Sequence, residues 1–263
     1  MTQASPARKS VARRKVSDLI ADALREQIVS QPMAVNDRLP TEQELIEQFS
    51  ASRGSVREAL KSLEVQGLIY NIPGPAGGAR VRAVEEEQVF EFMRNFFHFR
   101  PLSGQQMYEV RKLVEPATAI SVIGHLRPED FDRLQHTIDE LETGDPARDW
   151  ARLRKAELEF HDILAERCPN PLLAMMARFV NTVLHSAAQA HYTAADWQKE
   201  ERAFAAANLA AHRALIEALR REDAPRVHQL MHAHVHEAEQ YVVDVDERIR
   251  RLTRKSIARR KAG

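Results

Sequence analysis

Apolar residues in the first part of the chain recur at the three- and four-residue spacing of amphipathic helices. One such stripe predicts a first helix over residues 16–30. Thr41 and Glu44 form a capping-box pair before a second apolar stripe, so a second helix is predicted to begin there. A third helix is predicted to begin at Ser52 and to end at Gly67, because glycine readily adopts the left-handed conformation that closes a helix.

Two short strands are predicted after the third helix. Leu68–Ile72 alternates weakly between apolar and polar residues, Pro73–Gly78 has the composition of a turn, and Ala79–Arg82 is predicted to return as the second strand. A helix, a short turn, a helix and a two-stranded hairpin, in this order, predict a winged helix-turn-helix over residues 16–82.

The rest of the chain has the pattern of a helical bundle. No glycine occurs between Gly144 and Gly263, and this stretch is rich in the strong helix formers alanine, leucine, glutamate and arginine. The apolar periodicity predicts about seven helices, most of them in an antiparallel bundle over residues 83–247. Their predicted bounds are Glu86–Phe99, Ser103–His125, Pro128–Leu141, Ala147–Arg167, Pro171–Tyr192, Ala194–Arg221 and Pro225–Arg260. The predicted fold class is therefore mainly α.

Charge is unevenly distributed, although 38 basic and 38 acidic residues give a formal net charge of zero. Residues 1–15 carry five basic side chains and no acidic one, and residues 248–263 carry eight and none. Without these thirteen basic residues, 25 remain against 38 acidic ones, so the body of the chain has a charge of −13. Such a basic N-terminal arm and C-terminal tail are typical of segments that contact a polyanion, and equally of tails that are simply solvated.

Composition excludes several classes of protein. No apolar run approaches the roughly 18 residues of a membrane-spanning helix, and residues 1–15 lack the apolar segment of a secretory signal. Cys168 is the sole cysteine, which excludes an internal disulfide framework and a multi-cysteine zinc site. These features predict a soluble protein of the cytoplasm with no membrane partner.

The third predicted helix has the chemistry of a helix that reads DNA. Its first turn offers Ser52, Arg53 and Ser55, and Arg57 lies one turn further on. Arginine binds guanine edges with two hydrogen bonds, and small hydroxyl groups at a helix N-terminus bind phosphates. Two exposed arginines on a helix more often serve solubility alone. Here they follow a capping box and a turn and precede a hairpin, and this order favours DNA binding.

Three runs of residues resemble the DNA-binding domain of GntR-type bacterial regulators over about residues 16–82. The runs are Arg38–Leu45, Ser52–Leu60 and Gly67–Ile69, the last preceded by Leu63. The resemblance implies that Arg53 and Arg57 make the principal base and phosphate contacts. Ser52, Gly54 and Ser55 are implied to form the start of the recognition helix beside them.

Further DNA-contacting positions follow from the same resemblance. Thr41 and Gln43 begin the second helix, and the wing with Gly77, Gly78 and Arg80 is implied to enter the minor groove. Gln43 stands where many relatives have an arginine that touches DNA, and the wing tip here is longer and contains prolines. The operator sequence therefore does not carry over from the resemblance.

Eleven histidines raise the question of a metal site. Glu157 and His161 lie one turn apart, while His212 and His234 each lie on the apolar face of their own predicted helix. One carboxylate and three imidazoles that converge inside a bundle suit a divalent ion, zinc most readily. Spacing alone does not favour this site, since a single inward histidine is more often a hydrogen-bonded core residue. A further trio lies on the opposite side of the last predicted helix, at His228, His232 and His236. It is expected to form a solvated or interfacial face and not a second site.

The helical part resembles the effector domain, called FCD, of the FadR-like branch of the same family. The matching runs are Tyr108–Glu115, Glu157–His161, Ala211–Leu219 and Met231–His234. In metal-containing relatives the positions of Glu157, His161, His212 and His234 bind zinc or a similar ion, and a small carboxylate effector completes the coordination. Glutamate replaces the usual aspartate at position 157, which keeps an oxygen donor on a side chain that is longer by one methylene group.

Two further residues are candidates for effector binding. Arg111 is predicted to face inward by the spacing of Val110, Val114 and Ala117. It either clamps an effector carboxylate or forms an ion pair with Glu115, four residues later on the same helix. Asn208, one turn before a histidine of the metal set, is predicted to hydrogen-bond the effector or to orient a ligand.

Together these features predict a cytoplasmic, nucleoid-associated transcriptional regulator that binds an inverted-repeat operator in double-stranded DNA as a homodimer. A small carboxylate at the metal site is predicted to change its affinity for DNA, with repression as the default because most relatives are repressors. A metalloenzyme is the alternative from another class, although no dedicated general base and no His-Glu-x-x-His motif accompanies the ligands. A metal-free regulator that responds to acyl-CoA is the third possibility.

Overall fold

The computed structural model describes residues 14–31, 33–74, 77–100, 102–145, 148–191 and 198–241. The chain divides into two compact units, Met1–Phe96 and Phe97–Gly263. Most of the predicted basic N-terminal arm and the whole of the predicted C-terminal tail lie outside the described residues. Among the helices of the described ranges, none combines the length and the apolar character that a membrane crossing requires.

The first unit is a winged helix-turn-helix, as the sequence predicts. Its elements are α1 (Val16–Ser30), α2 (Glu42–Phe49), α3 (Arg53–Val65), β1 (Ile69–Ile72), β2 (Gly78–Val81) and α4 (Glu86–His98), the last of which crosses into the second unit. Helix α3 packs against α1, α2 and β1, so it lies at the centre of this unit. The core between these elements includes Ile20, Leu24, Leu45, Val56, Leu63 and Ile69.

Side-chain caps begin both helices of the helix-turn-helix. The Thr41 hydroxyl accepts from the backbone N–H of Glu44 at 3.3 Å, and the Glu44 carboxylate accepts from the backbone N–H of Thr41 at 2.7 Å. The Ser52 hydroxyl accepts from the backbone N–H of Ser55 at 3.1 Å, so α3 begins at Arg53. Each such cap typically contributes ~1 kcal/mol, because it satisfies amide groups that have no partner within the helix. The caps therefore fix the first turn of α3.

The wing is an antiparallel hairpin in which Ile69 pairs with Val81. Strand β2 begins at Gly78 and ends at Val81, one residue earlier at each end than the sequence predicts. Gly77 directly precedes this strand, and a Cβ atom on it would lie 2.0 Å from the carbonyl oxygen of Ile72. The close approach of the two backbones therefore requires glycine at position 77.

Gly77→Ala is expected to destabilise the winged domain by about 1–3 kcal/mol, the usual cost of forcing extra atoms into filled space. Thermal unfolding followed by circular dichroism checks this expectation. Gly54→Ala is the matched control, because a Cβ atom there meets the Ser52 hydroxyl at an ordinary 3.7 Å and alanine favours the helix. A melting temperature of the Gly77→Ala protein equal to that of wild type would contradict the required close approach.

The second unit is a bundle of helices, which confirms the predicted fold class. Its elements are α5 (Gly104–Ser121), α6 (Pro128–Thr143), α7 (Trp150–Arg167), α8 (Pro171–His191), α9 (Gln198–Arg220) and α10 (224–241). Helix α7 packs against α5, α6 and α8, and α6 also packs against α9. The short connection at 168–170 makes α7 and α8 antiparallel neighbours. The predicted continuation of α10 to Arg260 lies outside the described residues.

Helix α5 differs from its prediction in two details. It ends at Ser121, and residues 122–125, predicted as its last turn, form a separate turn. Of the three apolar residues predicted to face inward, Val110 and Ala117 are exposed and Val114 is half-buried. The buried positions of α5 are Met107, Tyr108, Arg111, Glu115, Pro116, Thr118 and Ala119. The apolar pattern is misleading here because the inward face contains two charged residues that pair with each other.

Candidate metal centre and DNA-reading helix

Three buried histidines from three helices meet in the core of the bundle. His161 comes from α7, His212 from α9 and His234 from α10. The Nε2 atom of His234 lies 3.2 Å from that of His161 and 3.4 Å from that of His212. One ligand atom from each of the three lies within 4.8 Å of the other two. The three histidines can therefore hold a metal ion.

Packing fixes the orientation of the three rings. His212 stacks on Phe160, with ring centroids 4.0 Å apart and ring planes 2° apart. His161 and His234 stack on each other with centroids 5.2 Å apart. Because the aromatic contacts and the helices restrict ring rotation, the Nε2 atoms stay turned toward a common point.

Hydrogen-bond geometry assigns the proton of His161. The Nη2 group of Arg111 lies 3.2 Å from Nε2 of His161, and because arginine can only donate, this ring nitrogen accepts. The proton therefore lies on Nδ1, which faces Oε2 of Glu115 at 3.2 Å. Since this oxygen accepts no well-aligned hydrogen bond from the described residues, the contact is mainly electrostatic. A carboxylate behind a histidine orients the ring and raises the basicity of the opposite nitrogen.

Arg111 is fully buried, and each of its three nitrogens has a partner. Its Nε donates to Glu115 at 2.6 Å, its Nη1 donates to the Tyr108 hydroxyl at 3.2 Å, and its Nη2 faces His161. Burial raises the pKa of Glu115, and the positive charge of Arg111 limits the rise. Of the two roles that the sequence leaves open for Arg111, the structure contains the ion pair with Glu115.

Glu157, the fourth predicted ligand, is buried one turn before His161 but is not in the group of atoms within 4.8 Å. Its Oε2 accepts from Nη1 of Arg154 at 2.5 Å, while its Oε1 has no hydrogen-bond partner among the described residues. Burial opposes ionisation of Glu157, yet the charge and the hydrogen bond of Arg154 outweigh it and keep the pKa of this carboxyl below its ordinary value. The structure thus brings three predicted ligands together and pairs the fourth with an arginine.

Burial keeps the histidines neutral. Burial and the positive charge of Arg111 hold the pKa of His161 well below its usual value, and burial together with His212 does the same for the pKa of His234. Burial lowers the pKa of His212 to about 4, despite the negative charge of Glu157. All three imidazoles are therefore neutral at pH 7, which is the form that binds metal ions.

Several buried polar atoms around the histidines have no partner among the described residues. They are Nδ1 of His212, Oδ1 of Asn208, Oε1 of Glu157, Nε of Arg154 and Oε2 of Glu115. Asn208, the second predicted effector-binding residue, is 5% exposed and lies one turn before His212 on α9. A buried polar group without a partner costs about 1–3 kcal/mol, so a set of them favours a site where a bound ion, water or ligand completes the hydrogen bonding.

Neither Tyr108 nor Arg154 is among the predicted site residues. Tyr108 lies three residues before Arg111, and Arg154 lies three residues before Glu157, so each shares a helical face with a selected residue. This spacing is the signal that identifies them. Neither a tyrosine nor an arginine is among the carboxylate and imidazole groups that usually bind zinc.

The first turn of α3 presents residues predicted to read DNA. Ser52, Arg53 and Gly54 are exposed. Arg57 is exposed one turn further on, and its Nε contacts both carboxylate oxygens of Glu42 in α2, at 2.9 and 3.2 Å. A DNA phosphate that binds Arg57 would have to take the place of this carboxylate.

Three other predicted DNA contacts lie near the caps. Gln43 is exposed on α2, and its Nε2 donates to Glu47 at 2.8 Å. Thr41 and Ser55 are half-buried, because Thr41 caps α2 and the Ser55 hydroxyl lies 3.0 Å from that of Ser52. Of the three side chains, Gln43 is therefore the most accessible to DNA.

The predicted wing contacts have mixed surroundings. Gly77 is buried against the opposite strand, and Gly78 is half-buried with a φ of +124°. Arg80 turns back from the wing, and its Nη1 donates to the carbonyl of Asn36 at 2.7 Å. Residues 75–76 at the wing tip lie outside the described residues.

Comparison with known proteins assigns both parts of the chain to protein families. Residues 17–77 match the gntR family of bacterial regulatory proteins, and residues 106–237 match the FCD domain. The FCD match alone covers half of the chain, and it contains the three histidines and both buried ion pairs.

Relatives along the chain are transcriptional regulators. The chain is 32% identical over 149 residues to the transcriptional regulator LutR of Bacillus subtilis. The aligned region covers 56% of this chain and 66% of LutR. It is 26% identical over 217 residues to the galactonate operon transcriptional repressor of Escherichia coli, covering 81% of this chain and 90% of the repressor.

The fold also has a counterpart among solved structures. A GntR protein of Streptococcus agalactiae matches with a TM-score of 0.59 and 22% identity, over 86% of this chain and 99% of that one. This similarity concerns the fold, while the family matches and the named relatives concern the function.

The relatives are regulators and not enzymes, which removes the metalloenzyme alternative. This chain therefore belongs to the GntR family of bacterial transcriptional regulators, in the branch that carries an FCD domain.

Proposed function

We propose that this regulator is a homodimeric repressor whose affinity for its operator depends on a small carboxylate bound at a zinc site in the FCD domain. The observation that carries the proposal is the convergence of three neutral Nε2 atoms, at 3.2 and 3.4 Å, in a buried position. Such a position has no evident role in a hydrophobic core, since three mutually facing ring nitrogens cannot all be satisfied by one another.

Zinc fits this donor set. Zinc binds imidazole nitrogens at about 2.0–2.1 Å, so two nitrogens on one ion lie no more than about 4.2 Å apart. The two Nε2 separations of 3.2 and 3.4 Å meet this limit. His161, His212 and His234 would hold the ion, and Glu157, with its unpartnered Oε1, would supply an oxygen. The bound ion supplies a Lewis-acidic centre with affinity for carboxylate oxygens.

The charge of the site favours an anionic effector. Arg111 pairs with Glu115 and Arg154 pairs with Glu157, so these four charges cancel. A divalent ion adds two positive charges in a buried place, where uncompensated charge is costly. A carboxylate on the ion offsets this charge. We assign Arg111 and Asn208 to its remaining hydrogen bonds.

Two relatives suggest the first compounds to test. One is the repressor named for the galactonate operon, and another Escherichia coli regulatory protein, 28% identical over 177 residues, is named for the L-lactate dehydrogenase operon. Galactonate and lactate are both hydroxycarboxylates, whose adjacent oxygens can bind one ion together. For this chain they serve as probes of effector chemistry.

The DNA-binding part of the proposal follows from the winged domain. Helix α3 of each protomer enters a major groove, and the two-fold symmetry of the dimer matches an inverted-repeat operator on chromosomal DNA in the cytoplasm. The effector changes DNA affinity only if it binds more tightly to one arrangement of the two winged domains in the dimer than to another. Such coupling is typically ~1–3 kcal/mol, or roughly 5- to 150-fold in affinity.

The affinity of the protein for its operator tests this function. The operator is first identified by selecting, from genomic DNA, the fragments that the protein binds. Sedimentation measures the oligomeric state. We expect an effective carboxylate to weaken DNA binding by zinc-loaded protein roughly 5- to 150-fold and to leave chelator-treated protein unaffected. An equal response with and without metal would contradict metal dependence. Release from DNA by acyl-CoA without metal would favour the acyl-CoA-responsive alternative.

A further inference from the structure

The two buried arginines of the site differ in their partners. Arg111 donates to Glu115 and to Tyr108, and its Nη2 faces His161. When an ion takes the Nε2 lone pair of His161, Arg111 keeps Glu115 and Tyr108 and stays charge-compensated. It then has one nitrogen, Nη2, to offer to a ligand.

Arg154 has fewer partners and depends on one carboxylate. Its side chain is 12% exposed, its Nη1 donates to Glu157, and its Nε is buried without a partner among the described residues. Its partner Glu157 lies one helical turn before His161, so the guanidinium lies beside a residue of the proposed metal set. Arg154 therefore has a free donor that is already desolvated and close to the metal centre.

Coordination of an ion by Oε1 of Glu157 would leave its Oε2 on Arg154, and the ion and the guanidinium would then share one negative charge. The charges of Arg111 and Glu115 cancel, so the divalent ion, Glu157 and Arg154 together carry two net positive charges. One carboxylate compensates half of this charge. Two carboxylates compensate both positive charges. The guanidinium group of an arginine can bind a carboxylate through two parallel hydrogen bonds.

We infer that Arg154 is an anion-binding residue and that it selects a dicarboxylate effector over a monocarboxylate. One carboxylate binds the ion and Nη2 of Arg111, and the other binds Arg154. This assignment rests on the proposed function, because it requires an ion at the histidines and Glu157.

Calorimetric titration of the zinc-loaded full-length protein tests Arg154 with three matched pairs of acids. The pairs are L-lactate with L-malate, propionate with succinate, and D-galactonate with galactarate. In at least one pair the dicarboxylate is expected to bind wild type about tenfold or more tightly than its monocarboxylate partner, as for a charge-assisted pair of hydrogen bonds. Arg154→Met is expected to reduce that ratio to about one, and Arg154→Lys to retain part of it.

Arg152→Met is the matched control, because Arg152 is an exposed arginine on the same helix that pairs with Glu140. It is expected to keep the wild-type ratio. Zinc content is measured for every variant, so that loss of ligand is separated from loss of metal. If Arg154→Met contains full zinc and keeps the wild-type ratio of dicarboxylate to monocarboxylate affinity, Arg154 is not an anion-binding residue. Loss of zinc from Arg154→Met also overturns the assignment, because Arg154 would then be a positioning residue for Glu157. Failure of all six acids to bind zinc-loaded wild type overturns it as well, whereas absence of zinc from wild type overturns the proposed function itself.

Discussion

His212→Ala is expected to purify without the one zinc-like ion per chain that wild type retains. His212 supplies one of three converging Nε2 atoms, is fully buried and stacks on Phe160. Loss of a mere orienting partner behind a metal ligand costs 10–100-fold in affinity, so loss of the ligand itself should exceed about 100-fold. Metal analysis by mass spectrometry, and melting temperatures with and without chelator, measure the effect. The chelator should lower the melting temperature of wild type and leave that of His212→Ala unchanged.

His232→Ala is the matched control for metal content. His232 is also on α10 but is exposed, so its removal should leave both the ion and the chelator effect intact. His212→Gln keeps a polar side chain of similar length and separates loss of the ligand from loss of the fold. If His212→Ala binds zinc with wild-type stoichiometry and affinity, the three histidines are a polar core and not a metal site.

Arg53→Ala is expected to weaken operator binding by roughly 5- to 150-fold, which corresponds to the ~1–3 kcal/mol of a two-pronged contact to guanine. Arg53 is the first residue of α3, directly after the capping Ser52, and is exposed. Binding to unrelated DNA should change much less, because phosphate contacts dominate there. Fluorescence anisotropy with the selected operator and with a scrambled duplex measures both affinities.

Lys61→Ala is the control for a simple loss of positive charge. Lys61 is exposed on the same helix two turns beyond Arg53 and pairs with Glu64. Its removal should affect operator and scrambled DNA alike and by only a few fold. Equal losses of Arg53→Ala on both duplexes would show that Arg53 contacts phosphate and not a base.

Local signals make the winged domain readable from sequence. Helix α1 runs from Val16 to Ser30 as the apolar stripe predicts, and the Thr41–Glu44 capping box is present. Both features depend on residues within one or two helical turns of one another. The wing is predicted less well, because the contact that requires Gly77 is to the carbonyl of Ile72 across the hairpin.

The histidine cluster is accessible to sequence reasoning for a related reason. His212 and His234 lie among apolar residues at helical spacing, which predicts that both face inward. Their mutual distance is not in that pattern, because it depends on how α9 and α10 pack. Their assignment as a set comes from the resemblance to the FCD domain.

The partners of the charged residues depend on the tertiary structure. Arg111 and His161 are 50 residues apart in sequence, yet their side chains are 3.2 Å apart. Arg111 faces inward as predicted, together with Glu115, because each neutralises the other, whereas Val110 and Ala117, predicted for the same face, are exposed. Periodicity records the burial of apolar groups and says little about the burial of paired charges.

An ion held by three helices would also tie together distant parts of the chain. His161 and His234 are 73 residues apart, and His212 and His234 are 22 residues apart. Because the entropy of closing a loop grows only slowly with its length, both closures restrict the open forms of the domain to a similar degree. Without the ion, α10 loses a link to α7 and opens at a lower cost in free energy, and proteases cleave chains that open locally. The lifetime of this regulator in the cell should therefore follow the supply of the ion, which would control the amount of the regulator as well as its response to the effector.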